Sequence, residues 1–210
     1  MKLFDDRAVR WLLVPAVVFI SQTISDAYLL DFWHHLARGR AIVTSGQLLD
    51  HDIFTYTVAG KPFQDVNWGS QVLYFSLYRI GGLGLVRVMN ALVLAAAWAW
   101  LIAICRRLSG SLEAALIVGL LAFLGSFQVL TIRPQTFSIL LFVAMLDVLL
   151  RAEKDRRWLW GTLPIMAAWS NLHGAFPAGL ILVGISWLTA CACAIFAPAP
   201  PGFAGGEGRG

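Results

Sequence analysis

The side chains of this chain that could do chemistry are concentrated in one polar segment, residues 26–68. It contains Asp26, Asp31, Asp50, Asp52 and Asp65, together with His34, His35 and His51. Carboxylates serve as general bases or bind hard divalent cations, and histidine exchanges protons near neutral pH. Two shorter polar sites lie far along the chain, at Arg133 and at residues 171–174. These groups can form one site only if the fold brings the three segments together.

Asp50 and Asp52 lie in residues 50–57, where β-branched and aromatic side chains favour an extended chain, followed by a turn at residues 60–62. In an extended chain, residues two apart share a face, so both carboxylates would point the same way. Such a pair suits Mg²⁺ or Mn²⁺, or an acid and base pair. Alternatively, both are turn residues that accept hydrogen bonds from their own backbone.

Asp31 begins a predicted helix over residues 31–44, with Trp33, Leu36, Ala37 and Ala41 close to helical spacing and with the histidines and Arg38 at the other positions. We expect this helix to lie on the membrane surface. Asp31 stands where a helix N-cap belongs, and the helix would stop at Gly46. A capping role and a catalytic or binding role for Asp31 are both open at this point.

The composition determines what must position these groups. Of the residues, 59% are hydrophobic and only 13% are charged, which does not fit a water-exposed surface. Apolar stretches of about the length that crosses a bilayer follow one another at residues 8–24, 83–105, 112–130, 134–150, 158–172 and 175–196. The fold class expected is therefore an all-α membrane protein of about six transmembrane helices. The first stretch also resembles a signal peptide, but no cleavage site stands out, so a retained helix is favoured.

The positions of basic residues predict how the spans are oriented. Short cytoplasmic loops concentrate Lys and Arg. With the N-terminus inside, residues 106–107 and 151–157 carry the basic groups inside, and only Arg133 lies in the outer loop between the third and fourth spans. Residues 26–68, Arg133 and His173 then share the outer face. The net charge of +4 reflects this topology, and no nucleic-acid partner is expected.

Several features are expected to be structural. Asp147 lies inside a span four residues before Arg151, which favours a helical ion pair. Residues 68–80 are expected either to lie along the interface or to extend the second span. The helical domain is assigned to residues 1–197, with the outer loop at 26–68, and the Pro/Gly-rich tail, residues 198–210, is expected to be disordered.

The order of six short motifs resembles a known family. They are Asp31-Phe-Trp-His-His-Leu-Ala-Arg-Gly39, Asp52-Ile-Phe-Thr-Tyr-Thr57, Asn67-Trp68, Tyr78-Arg-Ile-Gly-Gly82, Arg133-Pro-Gln135 and Asn171-Leu-His-Gly174. Together, over residues 8–190, they resemble the N-terminal half of bacterial GT-C-type membrane glycosyltransferase-like proteins, related to the dolichyl-phosphate-mannose-protein mannosyltransferase class. The resemblance implies an inverting sugar transfer from a polyprenyl-phosphate carrier, at the outer side of the bacterial cytoplasmic membrane.

The resemblance also implies roles for particular residues. The essential acidic residue after the first span would be Asp31, with Asp26 as its rival. Substrate contacts would come from Arg133, His173, Asn171, His35 and Asp52, with Asp50 and Asp52 as the metal candidates for Mg²⁺ or Mn²⁺. This chain departs from the family pattern at Asn67 and Gln71, around Trp68, where relatives often carry acidic residues. Because such proteins usually continue with further spans, the chain is expected to be a truncated form.

Two other interpretations remain. The chain could be a non-catalytic membrane protein, either a partner subunit or a scaffold, whose polar loop docks another protein. A transporter is less favoured, because the spans hold no convincing charged pathway and no symmetric pair of broken helices. In each case membrane lipid surrounds the helices.

Overall fold

The computed structural model describes residues 6–24, 31–57 and 59–196, with side chains from residue 9 onward. Asp26 and the predicted tail lie outside the described residues. The helices are α1 (Asp6–Ile24), α2 (Phe32–Ser45), α3 (Trp68–Ser109), α4 (Leu112–Ser126), α5 (Gln135–Ala152), α6 (Thr162–Leu172) and α7 (Pro177–Phe196), with 3₁₀ turns at Phe127–Val129 and Arg156–Gly161. No β-strand occurs in this part of the chain, which confirms the all-α prediction.

Four helices are long and apolar enough to cross a bilayer: α3, α4 with its 3₁₀ extension to Val129, α5 and α7. They make the chain a membrane-embedded protein. The other two predicted spans are shorter. The apolar part of α1 runs over Val9–Ile24, and α6 has 11 residues and is preceded by a 3₁₀ turn. At about 1.5 Å per residue, α6 extends only about 17 Å, well short of a hydrocarbon core.

Helix α3 has 42 residues and is bent near its first third. Gly81 and Gly82 have non-helical backbone angles, and Gly82 has φ 61°, a conformation that favours glycine. A straight helix of this length would extend about 63 Å, twice the thickness of a bilayer core. Residues 68–80 were expected either to lie at the interface or to extend the second span. In the structure they form the first arm of the same bent helix.

The helices pack around three apolar clusters. One joins α1, α3 and α4 through residues such as Val14, Leu94 and Phe123. The second joins α2, α3 and α5 through Phe32, Tyr74, Val86, Ile132 and Phe137, and the third joins α5, α6 and α7 around Met145, Leu149 and Trp169. The second cluster packs α2 against the first arm of α3, and α2 carries several of the candidate site residues.

Helix α2 approaches α3 very closely at Gly39. A Cβ atom on Gly39 would lie 2.0 Å from the carbonyl oxygen of Gln71, so only glycine fits there. The buried face of α2 contains Phe32, Leu36, Arg38, Gly39 and Ile42. This differs from the expected face, because Trp33 is half exposed and Arg38 is buried.

The two ends of the bundle differ in charge. We call residues 31–67, 131–134 and 171–174 the polar end, and residues 106–111 and 151–161 the basic end. Helix α5 connects them over about 27 Å. Near the basic end, the buried Asp147 forms ion pairs with Arg107 and with Arg151, at 3.0 Å, and accepts a hydrogen bond from Trp100. The predicted pair between Asp147 and Arg151 is confirmed.

Candidate functional site at the polar end

Asp31 and Arg133, which are 102 positions apart in the sequence, form an ion pair. The distance from Arg133 Nη2 to Asp31 Oδ2 is 3.0 Å, and the side chains are 35% and 55% exposed. Asp31 does occupy the N-cap position of α2, but its side chain makes no capping hydrogen bond. The Asp31 carboxylate is therefore not used to cap α2, and the Arg133 guanidinium lies next to it.

Arg133 is held in place by the connection between α4 and α5. The chain leaves α4 through the 3₁₀ turn, and Pro134 is the N-cap residue of α5. The carbonyl oxygen of Arg133 accepts a hydrogen bond from the Thr136 amide at 3.0 Å. Ile132 is buried in the same apolar cluster as Phe32, the first residue of α2. The neighbours of both members of the ion pair therefore belong to one apolar cluster.

A second arginine of the polar end, Arg38, is buried. Arg38 contacts Asp52 and Asp65, each at 3.4 Å, and all three side chains are at most 6% exposed. Its guanidinium carbon lies 4.1 Å from the ring centre of Phe63. Burying a guanidinium requires such compensation by charge and by aromatic faces. Arg38 therefore fastens the loop of residues 46–67 to α2.

Asp52 has a different environment from Asp50. Oδ1 of Asp52 accepts hydrogen bonds from the amides of Phe54 and Thr55, at 2.9 and 2.7 Å. These bonds lower the pKa of its carboxyl group. Asp50 is exposed and pairs with His51, whose hydrogen bond lowers the pKa of Asp50. Asp52 is thus a turn residue, whereas the carboxylate of Asp50 faces solvent.

The loop turns back on itself as expected, but with one isolated bridge instead of strands. His51 and Pro62 form an antiparallel bridge. The Asp52 amide donates to the Lys61 carbonyl at 2.9 Å, and the Phe63 amide donates to the Asp50 carbonyl at 2.8 Å. These two bonds join residues 50–52 to residues 61–63.

Asp65 and Gln71 connect the loop to α3. Oδ1 of Asp65 accepts hydrogen bonds from the Asn67 amide and from the side-chain amide of Gln71, both at 3.0 Å. The same Gln71 nitrogen lies 3.4 Å from Nδ1 of His35. Burial, with a smaller contribution from His34, lowers the pKa of His35 to about 4, so His35 is neutral at pH 7.

Asn171 and His173 join the turn between α6 and α7 to the rest of the polar end. Oδ1 of Asn171 accepts a hydrogen bond from the Trp68 indole at 2.9 Å. Nδ1 of His173 lies 2.6 Å from the Ser138 hydroxyl, which accepts a hydrogen bond from the Trp169 indole. Burial lowers the pKa of His173. Ser138 on α5 therefore connects His173, at the turn after α6, with Trp169 on α6.

The structure thus brings together segments that were predicted to share one face of the membrane. Asp31 and Arg133 are in contact, Asp52 and His35 lie in the layer around Arg38 and Gln71, and Asn171 and His173 lie at the turn after α6. Sequence reasoning missed Arg38 as a buried anchor. One signal was available: the series Phe32, Leu36, Gly39 has helical spacing, and Arg38 is next to that face.

The predicted Mg²⁺ or Mn²⁺ finds no matching ligand set among the described side chains. No group of three or more His, Cys, Asp or Glu side chains could hold a metal ion in this part of the chain. The carboxylate of Asp52 is occupied by two amides and by Arg38, and Asp50 pairs with His51. Both carboxylates are thus already engaged by groups of the protein, and metal binding at Asp50 and Asp52 stays a prediction.

Comparison with known proteins adds no relative. No family model matches the chain, and neither a curated protein nor a solved structure matches it. The class defined by the helices is an all-α membrane protein with a polar layer at one end. The GT-C resemblance stays a prediction from the motifs.

Proposed function

We propose that this protein transfers a sugar from a polyprenyl-phosphate carrier to an acceptor hydroxyl group. The observation that carries this proposal is the exposed ion pair between Asp31 and Arg133, at the boundary between the apolar helices and the polar layer. A lipid-linked sugar phosphate would reach that boundary with its polyprenyl tail still among the helices. The motif resemblance supports the same activity.

Each member of the pair has a chemical role in the proposed transfer. Arg133 binds the donor phosphate, because a guanidinium matches phosphate oxygens in a bidentate manner and offsets the charge that develops as the phosphate leaves. Asp31, released from Arg133 by the incoming phosphate, accepts the proton of the acceptor hydroxyl as general base. The acceptor oxygen bonds to the anomeric carbon as the bond from that carbon to the phosphate oxygen breaks. Polyprenyl phosphate is the leaving group, and the configuration inverts.

The other predicted residues would act as positioning residues or substrate contacts. Asp52 holds Arg38, and Asn171 holds Trp68, so both would position the polar layer. His173 is held by the Ser138 hydroxyl, and its ring would contact a sugar hydroxyl or a phosphate oxygen. His35 is half-buried, four residues after Asp31, and it would be a further substrate contact. Asp26 stays the rival of Asp31 as base.

The orientation follows the rule for basic loops. In this proposal the basic end faces the cytoplasm of a bacterium and the N-terminus is inside, so the polar end lies on the outer face of the cytoplasmic membrane. The four basic side chains between residues 151 and 157 and the pair at 106 and 107 support this assignment. Reporter fusions at Thr57 and Lys154 test it, since finding both on the same side would exclude it.

The activity is tested with matched variants in membranes that contain the full chain. The donors are radiolabelled polyprenyl-phosphate mannose, glucose and galactose, and the readout is label in any acceptor. We expect Asp31→Asn to lower transfer by about 10² to 10⁴, the usual contribution of a general base. Arg133→Gln should raise the donor KM and lower kcat. The control is Glu153→Gln, which changes an exposed carboxylate at the basic end and should leave transfer unchanged. Undiminished transfer by Asp31→Asn would refute the assignment.

One observation favours the second candidate, a non-catalytic partner subunit. Ile53, Phe54 and Tyr56 are exposed at the tip of the loop, and Tyr56 is fully exposed. Exposed apolar side chains at a loop tip suit protein docking. If docking is the function, Tyr56→Ser disrupts a complex in detergent extracts, whereas the wild-type chain transfers none of the three sugars.

A further inference from the structure

A groove lies at the basic end, about the length of α5 away from Asp31 and Arg133. Its volume is about 270 Å³, and it is lined by Val148, Arg157, Trp158, Gly161 and Ile165. Four of these residues are apolar or glycine, and one carries a guanidinium. The groove therefore combines an apolar wall with a single cation.

The wall of the groove is fixed by contacts with α5. The guanidinium carbon of Arg151 lies 4.7 Å from the ring centre of Trp158, and the buried Asp147 holds Arg151 through a bond of 3.0 Å. The backbone amide of Arg157 donates to the Asp155 carboxylate at 3.0 Å. The guanidinium of Arg157 is exposed and forms no ion pair with another described residue. Arg157 thus carries a charge that no described carboxylate neutralises, and it lies on the 3₁₀ turn Arg156–Gly161.

Gly161 keeps the groove open. A Cβ atom there would lie 3.2 Å from a methyl carbon of Val148, so a side chain at this position would fill the space between the turn and α5. Beside the groove, Trp160 and Leu163 are 74% and 60% exposed. Exposed Trp and Leu next to basic side chains are typical of the level of lipid headgroups.

We propose that this groove is a binding site for one anionic phospholipid. The phosphate is held by Arg157, and an acyl chain lies along Gly161 and Ile165. Arginine suits this role because its guanidinium is weakly hydrated and pairs with phosphate oxygens. The charge around the groove selects an anionic over a zwitterionic headgroup, because the basic end and its flank carry six basic side chains and three acidic ones (Arg106, Arg107, Arg151, Lys154, Arg156, Arg157, and Asp147, Glu153, Asp155). The site is independent of the sugar transfer proposed for the polar end.

Native mass spectrometry of the full chain in detergent measures this binding. Phosphatidylglycerol and phosphatidylcholine of equal chain length are titrated separately, and retained lipid is counted. The wild type should retain phosphatidylglycerol in preference. Arg157→Gln should weaken its retention about fivefold, the value of one basic side chain near an anionic headgroup. The matched control is Arg106→Gln, which removes an exposed cation from the same end but not from the groove.

A second variant tests the groove without changing any charge. Gly161→Leu should also lose phosphatidylglycerol, and its circular dichroism and elution volume report whether the fold is kept. Three results would each overturn the proposal: equal retention of both lipids by the wild type, equal weakening in Arg106→Gln and Arg157→Gln, or full retention by a folded Gly161→Leu. Displacement by soluble glycerol phosphate at the same concentration would likewise show that no acyl chain is bound.

Discussion

Replacing Arg38 with methionine removes the cation that holds the loop of residues 46–67 against α2, while an unbranched side chain of similar length is kept. Arg38 is bound by two carboxylates, Asp52 and Asp65, and covered by the ring of Phe63. Without Arg38, the buried carboxylates of Asp52 and Asp65, at most 6% exposed, lose the cation that pairs with both of them. We expect the loop to detach locally while the apolar helices stay folded.

The size of the effect follows from the burial. Removing one partner of a buried ion pair costs about 3 to 5 kcal/mol, because a charge is left uncompensated. Both carboxylates keep other donors, which are backbone amides at Asp52 and the Gln71 side chain at Asp65. The lower limit, about 3 kcal/mol, is therefore expected, which is a change of about 100-fold in the equilibrium between attached and detached loop.

Hydrogen exchange of the full chain in nanodiscs measures this equilibrium. The reporting amides are those of Asp52, Gly60 and Phe63, which donate across the loop. Their protection should fall about 100-fold in Arg38→Met, or be lost entirely if the loop opens more easily. The amides of α5 should exchange as in the wild type.

The same helix supplies the control. Arg40 is exposed two residues away, so Arg40→Met removes an identical charge from the surface. Surface substitutions of this kind usually change stability by less than about 0.5 kcal/mol. If Arg38→Met and Arg40→Met gave the same protection at these amides, the buried cation would not hold the loop and the reasoning would be wrong.

Three further predictions concern other contacts. Gly39→Ala should separate α2 from α3 and lower the free energy of unfolding by about 1 to 3 kcal/mol or more, because its Cβ would lie 2.0 Å from the Gln71 carbonyl oxygen. The control is Gly84→Ala, which should be tolerated in thermal unfolding because no atom lies within 4 Å of its Cβ. The pKa of His35 is about 4 in the folded chain against 6.5 in an unfolded one, so folding disfavours protonation of this side chain. The contribution of neutral His35 to the free energy of unfolding is therefore complete above pH 6.5 and is lost as the pH falls toward 4. Hydrogen-exchange protection of the loop should depend less on pH in His35→Gln than in the wild type. Asp147→Asn leaves Arg107 and Arg151 without their carboxylate and should lower the midpoint of thermal unfolding, while the exposed Glu153→Gln should not; equal midpoints would show that the buried pair adds nothing.

Much of the framework could be predicted from sequence, because it depends on length and polarity along the chain. Apolar stretches predicted the helices, and the pair of Asp147 with Arg151 follows from a spacing of four residues on one helix. The grouping of Asp31, Arg133 and His173 followed from topology, since alternate connections lie at the same end of antiparallel helices.

What could not be predicted depends on contacts between distant segments. The burial of Arg38 requires Asp65, which is 27 residues away, and no local pattern pairs the two. For Asp52, the sequence left a shared metal or acid and base site and a turn role both open, and the structure shows the turn role through the amides of Phe54 and Thr55. The fifth span, predicted at residues 158–172, contains a shorter α-helix than expected, because residues 158–161 belong to the 3₁₀ turn Arg156–Gly161.

The bonds from Trp68 to Asn171 and from Gly174 to Asn67 have a consequence for biosynthesis. They join residues that are 103 and 107 positions apart. While a ribosome is still making the first 170 residues, the early loop has already been synthesised but has no partner for its Asn67 and Trp68 side chains. The polar layer therefore completes its assembly only after the turn following α6 has emerged and entered the bilayer. Until then the nascent chain depends on α1 to α5 to keep that loop in place.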